Sequence, residues 1–197
     1  NGTFAQAGLF GPSGMVTRNL AVADLNHDGF ADIVAANRGG GNRLFLNNGK
    51  GRFGEGLAYG EAGDHTVTVA IADMDGDGDL DLVLANRDGQ QSAVYFNDGK
   101  ARFERGPVFG PAQADTRAVA AADLDGDGDA DIVASHLGEG TRIYWNEKGS
   151  FSRSQPLGEV GAYSLLVADL NGDGRRDIVQ GSEGGANFVF FQGTGRQ

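Results

Sequence analysis

The sequence predicts an all-β fold, a β-propeller of four four-stranded antiparallel blades. Three observations carry that expectation. A nine-residue acidic pattern recurs four times at nearly even spacing, apolar runs of strand length flank each copy, and no stretch carries a helical period of useful length.

The acidic pattern comes first because it sets the register of everything else. It reads "DLNHDGFAD" from Asp24, "DMDGDGDLD" from Asp73, "DLDGDGDAD" from Asp123 and "DLNGDGRRD" from Asp169, in steps of 49, 50 and 46 residues. In the second copy Asp73, Asp75, Asp77 and Asp81 stand at positions 1, 3, 5 and 9. Gly78 at position 6 permits the positive φ that turns their oxygens inward. Carboxylates this close repel one another unless a cation neutralises them. A hard divalent ion fits an all-oxygen site, and calcium tolerates irregular coordination better than magnesium does. A solvated Asp-Gly turn is the competing explanation for any single copy; four copies favour the metal.

Each copy joins two strands. In the third repeat "AVAAA" (118–122) enters the loop, "DIVAS" (131–135) leaves it, "RIYWN" (142–146) follows, and a Gly-rich hairpin returns into "SFSRS" (150–154). Small residues crowd the first strands, among them Ala21, Ala23, Ala70, Ala72, Ala120 and Ala168, as backbones converging on an axis require. Aromatics gather on the third strands in "LFLN", "VYFN", "IYWN" and "VFFQ", where neighbouring sheets need bulk between them. A glycine follows a large apolar residue once per repeat, at Phe10-Gly11, Tyr59-Gly60, Phe109-Gly110 and Leu157-Gly158. Four-stranded sheets repeated at this period point to a propeller. The expected organisation is one domain, 1–197, with repeats of approximately 4–53, 53–103, 103–151 and 151–197.

Composition supports the same picture. The 34 glycines among 197 residues imply many tight turns, and the absence of cysteine excludes disulfides, thiolate metal sites and a cysteine nucleophile. Of 27 acidic residues sixteen lie in the four loops, so the net charge of −11 is largely a property of the loops. That acidity argues against a nucleic-acid partner. No apolar run approaches a membrane span, and nothing at the N-terminus resembles a signal peptide.

The segments "AVADLNHDGFADIV", "AIADMDGDGDLDLV", "AAADLDGDGDADIV" and "LVADLNGDGRRDIV" resemble FG-GAP or VCBS repeats, the calcium-binding propeller blades of integrin α-subunit heads and of many secreted bacterial and fungal proteins. The resemblance implies Ca2+ at four sites, one per repeat. The implied ligands are Asp24, Asn26, Asp28 and Asp32; Asp73, Asp75, Asp77 and Asp81; Asp123, Asp125, Asp127 and Asp131; and Asp169, Asn171, Asp173 and Asp177. A backbone carbonyl from Phe30, Asp79, Asp129 or Arg175 completes each set. Sites 24–32 and 169–177 are expected to be weaker, because Asn26 and Asn171 replace carboxylates and Arg175 and Arg176 add positive charge. EF-hand and dockerin loops need an acid at position 12, where this chain has Ala35, Leu84, Ala134 and Gln180. Thrombospondin-type calcium repeats normally carry cysteines.

The repeats are out of phase with the chain ends. "NGTF" matches the turn that precedes a fourth strand, and "FFQGTGRQ" stops short of the same point. Residues 4–10 are therefore expected to complete the fourth blade of their own chain. Donation of that strand to a neighbouring chain, and excision from a longer propeller, are the alternatives.

No enzyme is expected. The three histidines, His27, His65 and His136, form no recognisable triad, and "GPSGM" lacks a nucleophile elbow. His27, at position 4 of a loop, is expected to face solvent, and Trp145 to lie in the core between blades. The expectation is an extracellular or cell-surface adhesion or recognition module, lectin-like, for a protein or glycan ligand. Its candidate binding residues are Arg18, Arg38, His65, Arg87, Arg117, His136 and Tyr163, which border the repeated strands. A structural subunit assembled through the N-terminal strand and an accessory domain of a secreted enzyme are the other readings.

Overall fold

The computed structural model describes residues 2–5, 8–182 and 184–193. It is all-β: fifteen strands form a four-bladed propeller without a helix among the described residues. Blade 1 comprises β1 (Thr17–Ala23), β2 (Asp32–Asn37), β3 (Asn42–Phe45) and β4 (Leu57–Tyr59). Blade 2 comprises β5 (Thr66–Ala72), β6 (Asp81–Asn86), β7 (Ser92–Asn97) and β8 (Phe103–Phe109). Blade 3 comprises β9 (Thr116–Ala122), β10 (Asp131–His136), β11 (Gly140–Trp145) and β12 (Arg153–Gly158), and blade 4 comprises β13 (Ala162–Ala168), β14 (Asp177–Ser182) and β15 (Phe188–Phe190). Every sheet is an antiparallel meander in chain order. The innermost strands β1, β5, β9 and β13 pack successively side by side, which accounts for their alanines.

The core lies between blades. One face of blade 1, with Val34, Ala36 and Leu44, packs on Leu82, Leu84 and Tyr95 of blade 2. Val83, Ala85 and Val94 on the other face of blade 2 meet Ile132, Ala134 and Tyr144 of blade 3, and Val133 and Ile143 of blade 3 meet Leu165 and Ile178 of blade 4. Alternation along each strand thus feeds two different interfaces, and both faces of a middle blade are apolar. Trp145 lies in the last of these interfaces, with the Arg153 guanidinium 4.9 Å above its ring.

Two local features depart from the sequence expectation. The fourth strand of blade 3 begins at Arg153 rather than 150, since Glu147 and Ser150 are tied in the preceding turn. Among the described residues the clasp is not formed. Blade 4 has three strands, and the described residues on either side of Gln6 and Ala7 belong to no strand, with Phe4 and Leu9 almost fully exposed. Phe10 instead packs edge-on against Phe45 of blade 1, with ring centroids 5.3 Å apart. Phe10 thus lies on the face of blade 1 opposite to the one that packs on blade 2.

The glycine after the large apolar residue has a steric cause at Gly11, Gly60 and Gly110, though not at Gly158, which has room for a Cβ and no positive φ. At Gly110 the backbone adopts φ 74°, and a Cβ would sit 2.7 Å from His136 Cε1.

Candidate metal centres and axial pocket

All four acidic loops connect the first two strands of a blade, at the same end of the molecule. The position-6 glycines Gly29, Gly78, Gly128 and Gly174 all have positive φ, between 82° and 98°. The position-1 carboxylate organises the turn. Asp73 accepts hydrogen bonds from the N–H groups of Gly76 (2.8 Å) and Gly78 (3.0 Å), and Asp123 and Asp169 repeat the arrangement.

The position-9 aspartate does more than the sequence reveals. Asp81 is fully buried; its Oδ2 accepts from Met74 N at 2.7 Å and its Oδ1 from Asn97 N at 2.8 Å. Asp32, Asp131 and Asp177 make the corresponding pairs. Each therefore ties its loop to the end of the third strand while leaving lone pairs for a cation. Desolvation pushes the Asp81 and Asp131 carboxyls up to about 6, despite those hydrogen bonds and aided by neighbouring carboxylates. Oxygens of Asp73, Asp75 and Asp81 lie within 4.8 Å of one another, as do those of Asp123, Asp125 and Asp131. A buried carboxylate raised in this way, grouped with two others, fits a divalent cation.

Loops 1 and 4 differ. Asn26 Nδ2 donates to Asp28 Oδ2 at 3.0 Å, and the Arg175 guanidinium donates to Asp173 Oδ2 at 2.6 Å. In each a carboxylate oxygen suited to a cation already holds a donor. His27 is not simply turned to solvent: its Nε2 lies 2.6 Å from Asp79 Oδ1 and bridges loops 1 and 2. The chain there adopts φ 57°.

Of the candidate binding residues, Arg18, Arg87, Arg117 and Tyr163 line a single pocket of about 550 Å³ at the axis, bordered by β1, β5, β9 and β13. The Arg117 guanidinium lies 5.4 Å from the Tyr163 ring centroid and 3.0 Å from Asp115, which Arg87 approaches at 3.4 Å. Arg38, His65 and Arg87 converge on Asp88 at 3.1, 2.8 and 3.0 Å. Slight desolvation raises the Asp88 carboxyl, but hydrogen bonds from His65 and Arg38 and the charge of Arg87 outweigh it and bring it down to about 2. Asp88 and Asp115, which sequence reasoning did not single out, hold this cationic cluster together. His136 departs from the expected rim position. It is buried, with Nδ1 3.0 Å from Thr116 Oγ1 and Nε2 2.7 Å from Tyr144 Oη, because strand alternation turns it into the sheet interface.

A third set of residues ties the blades together. Asn97 Nδ2 donates to Leu25 O at 2.9 Å, Asn146 Nδ2 to Met74 O at 2.8 Å, and Gln192 Nε2 to Leu124 O. The signal was in the sequence, as the amide that closes "VYFN", "IYWN" and "VFFQ".

A model of FG-GAP-like repeats matches residues 24–84, 73–134 and 128–180. Among solved structures, an Agrocybe aegerita lectin with specific recognition of non-reducing terminal N-acetylglucosamine is 25% identical over 80% of this chain and 44% of that one, with a TM-score of 0.56. A structure of BBS1N in complex with ARL6DN is 12% identical over 85% of this chain and 52% of that one, at a TM-score of 0.60. The V. cholerae biofilm matrix protein Bap1 is 24% identical over 81% of this chain and 23% of that one, at 0.48. The chain thus spans about half the length, or less, of these solved chains. No curated protein matches it in sequence.

Proposed function

The chain belongs to the FG-GAP-like repeat family, and from that premise we propose that it is a calcium-stabilised, non-catalytic extracellular recognition module that binds carboxylate-bearing glycans in its axial pocket. Calcium would be held by the aspartates of the four loops, where it neutralises their mutual repulsion. Loops of this kind suit a calcium-rich, extracellular setting.

One observation carries the ligand assignment: Arg18, Arg87 and Arg117 line the same pocket as the ring of Tyr163. Guanidinium groups pair with carboxylates in two parallel hydrogen bonds, and an aromatic face packs against the C–H surface of a sugar. Arg87 and Arg117 share Asp115 and Arg87 also pairs with Asp88, which Arg38 and His65 already engage, whereas Arg18 has no ion pair among the described residues. Positive charge is thus left over for an anionic ligand. The lectin neighbour recognises a sugar on the same fold, which supports carbohydrate as the class; the arginines add the acidic group.

The test is a glycan array in calcium-containing buffer. Retention of uronate- or sialate-bearing glycans by the native chain, lost in Arg18→Ala and Arg117→Met with unchanged circular dichroism, is the expected result. Binding confined to neutral glycans, or none at all, overturns the assignment.

A further inference from the structure

Three core interfaces join the four blades in series, and the residues that would make a fourth are present but uncovered. On the face that receives the preceding blade, Val69, Val119 and Leu165 of blades 2, 3 and 4 are 6%, 5% and 7% exposed, whereas Leu20, at the same place in blade 1, is 50% exposed. On the opposite face Leu25, Met74 and Leu124 are buried beneath the following blade, whereas their counterpart in blade 4, Leu170, is 49% exposed. Val22 on the first face, and Leu166 and Val189 on the second, are likewise exposed.

The polar ties show the same gap. Asn97 and Asn146 each donate twice, once within their blade to Leu80 O or Ala130 O and once to the preceding blade. Asn47 makes the bond within its blade, to Ala31 O at 3.0 Å, and has no bond to a preceding blade among the described residues. Phe10, finally, lies on Phe45 as Phe109 of blade 2 lies on Tyr144 of blade 3, at 5.3 and 5.5 Å. Phe45 and Tyr144 hold equivalent register positions, opposite Ile33 and Ile132. Phe10 therefore occupies on blade 1 the place of the end of a fourth strand from a preceding blade, while β15 presents an edge that is unpaired among the described residues.

We propose that a second copy of this chain covers both faces, blade 4 of each copy packing on blade 1 of the other in a closed two-fold dimer of eight blades. The occupant follows from the faces themselves: one is shaped to receive a blade of this type and the other to be received by one, so two copies satisfy both at once. In the dimer Asn47 Nδ2 donates to the Leu170 carbonyl of the second copy.

Multi-angle light scattering across micromolar concentrations, with calcium present, tests this. A species of twice the chain mass is expected. Val22→Lys and Leu166→Lys, both at positions exposed in the single chain, should each weaken the dimer about tenfold or more, since either change alters both interfaces. Their melting curves below the dissociation concentration should match that of native monomer, which separates lost association from misfolding. A monomer at every concentration, a dimer indifferent to both substitutions, or open polymers that lengthen with concentration would each overturn the proposal.

Discussion

Asn146 donates a 2.8 Å hydrogen bond to the carbonyl of Met74, 72 residues earlier, and Asn97 makes the same bond to Leu25 across the same separation. Both are buried, so the bond joins successive blades where water cannot substitute for it. Asn146→Ala leaves the carbonyls of Met74 and Ala130 without that partner and should cost about 2 kcal/mol, read as a lowered midpoint in urea. Asn146→Asp should do no better, because a carboxylate cannot donate to either carbonyl.

The loops should separate into two affinity classes. Asp75 and Asp125 belong to three-carboxylate groups, whereas Asp28 and Asp173 already accept from Asn26 and Arg175. Calorimetric titration should resolve two tighter sites, at 73–81 and 123–131, and Asp75→Asn should weaken one of them selectively. Chelation should lower the melting temperature. Saturation at one hundred times the dissociation constant stabilises by about 2.7 kcal/mol per site. Four equal sites, or a melting point indifferent to chelator, would contradict this.

His136 gives the fold a pH dependence of definite sign. Burial, with a smaller contribution from the charge of Arg142, brings its imidazole down to about 4. The unfolded chain takes up this proton near 6.5 and the native chain only near 4. Between those values acid favours unfolding, and this group's contribution, about 3 kcal/mol, is lost as pH falls from 6.5 to 4. Difference melts of native and His136→Gln chains, in saturating calcium, should show a shallower acid slope for the variant.

Gly110→Ala should be disproportionately harmful for the addition of one methyl. It places a Cβ on His136 and forces a residue other than glycine to φ 74°. A loss of about 2 kcal/mol is expected. Gly126→Ala, at a similar φ with nothing within 4 Å, isolates the backbone part of the effect. Equal losses at the two sites would show that the contact with His136 is immaterial.

The period, the loops and the blade strands were legible because each is written locally: Asp at positions 1, 5 and 9 with Gly at 6, alanines near the axis, aromatics further out. The second duty of Asp81 was not, because its partner Asn97 N lies sixteen residues away on a backbone that a side-chain pattern does not report. His136 deceived by type; a polar residue at a strand end reads as rim until its register opposite Gly140 places it beside Thr116 and Tyr144. The placement of Phe10 rests on a long-range contact with Phe45, and no short motif encodes it. Arg18, Arg87, Arg117 and Tyr163 were singled out one by one as residues beside repeated strands, and only the assembled inner strands bring them to one pocket.

Because hydrophobic residues interlock across the seams between blades rather than inside any sheet, an isolated blade has no interior of its own. The smallest autonomous piece of this molecule is accordingly a pair of adjacent repeats, and a cut within blade 2 or blade 3 strips two neighbours at once. Unfolding should then spread from seam to seam like a zip, with blade 2 and blade 3, each held from both sides, the last to let go.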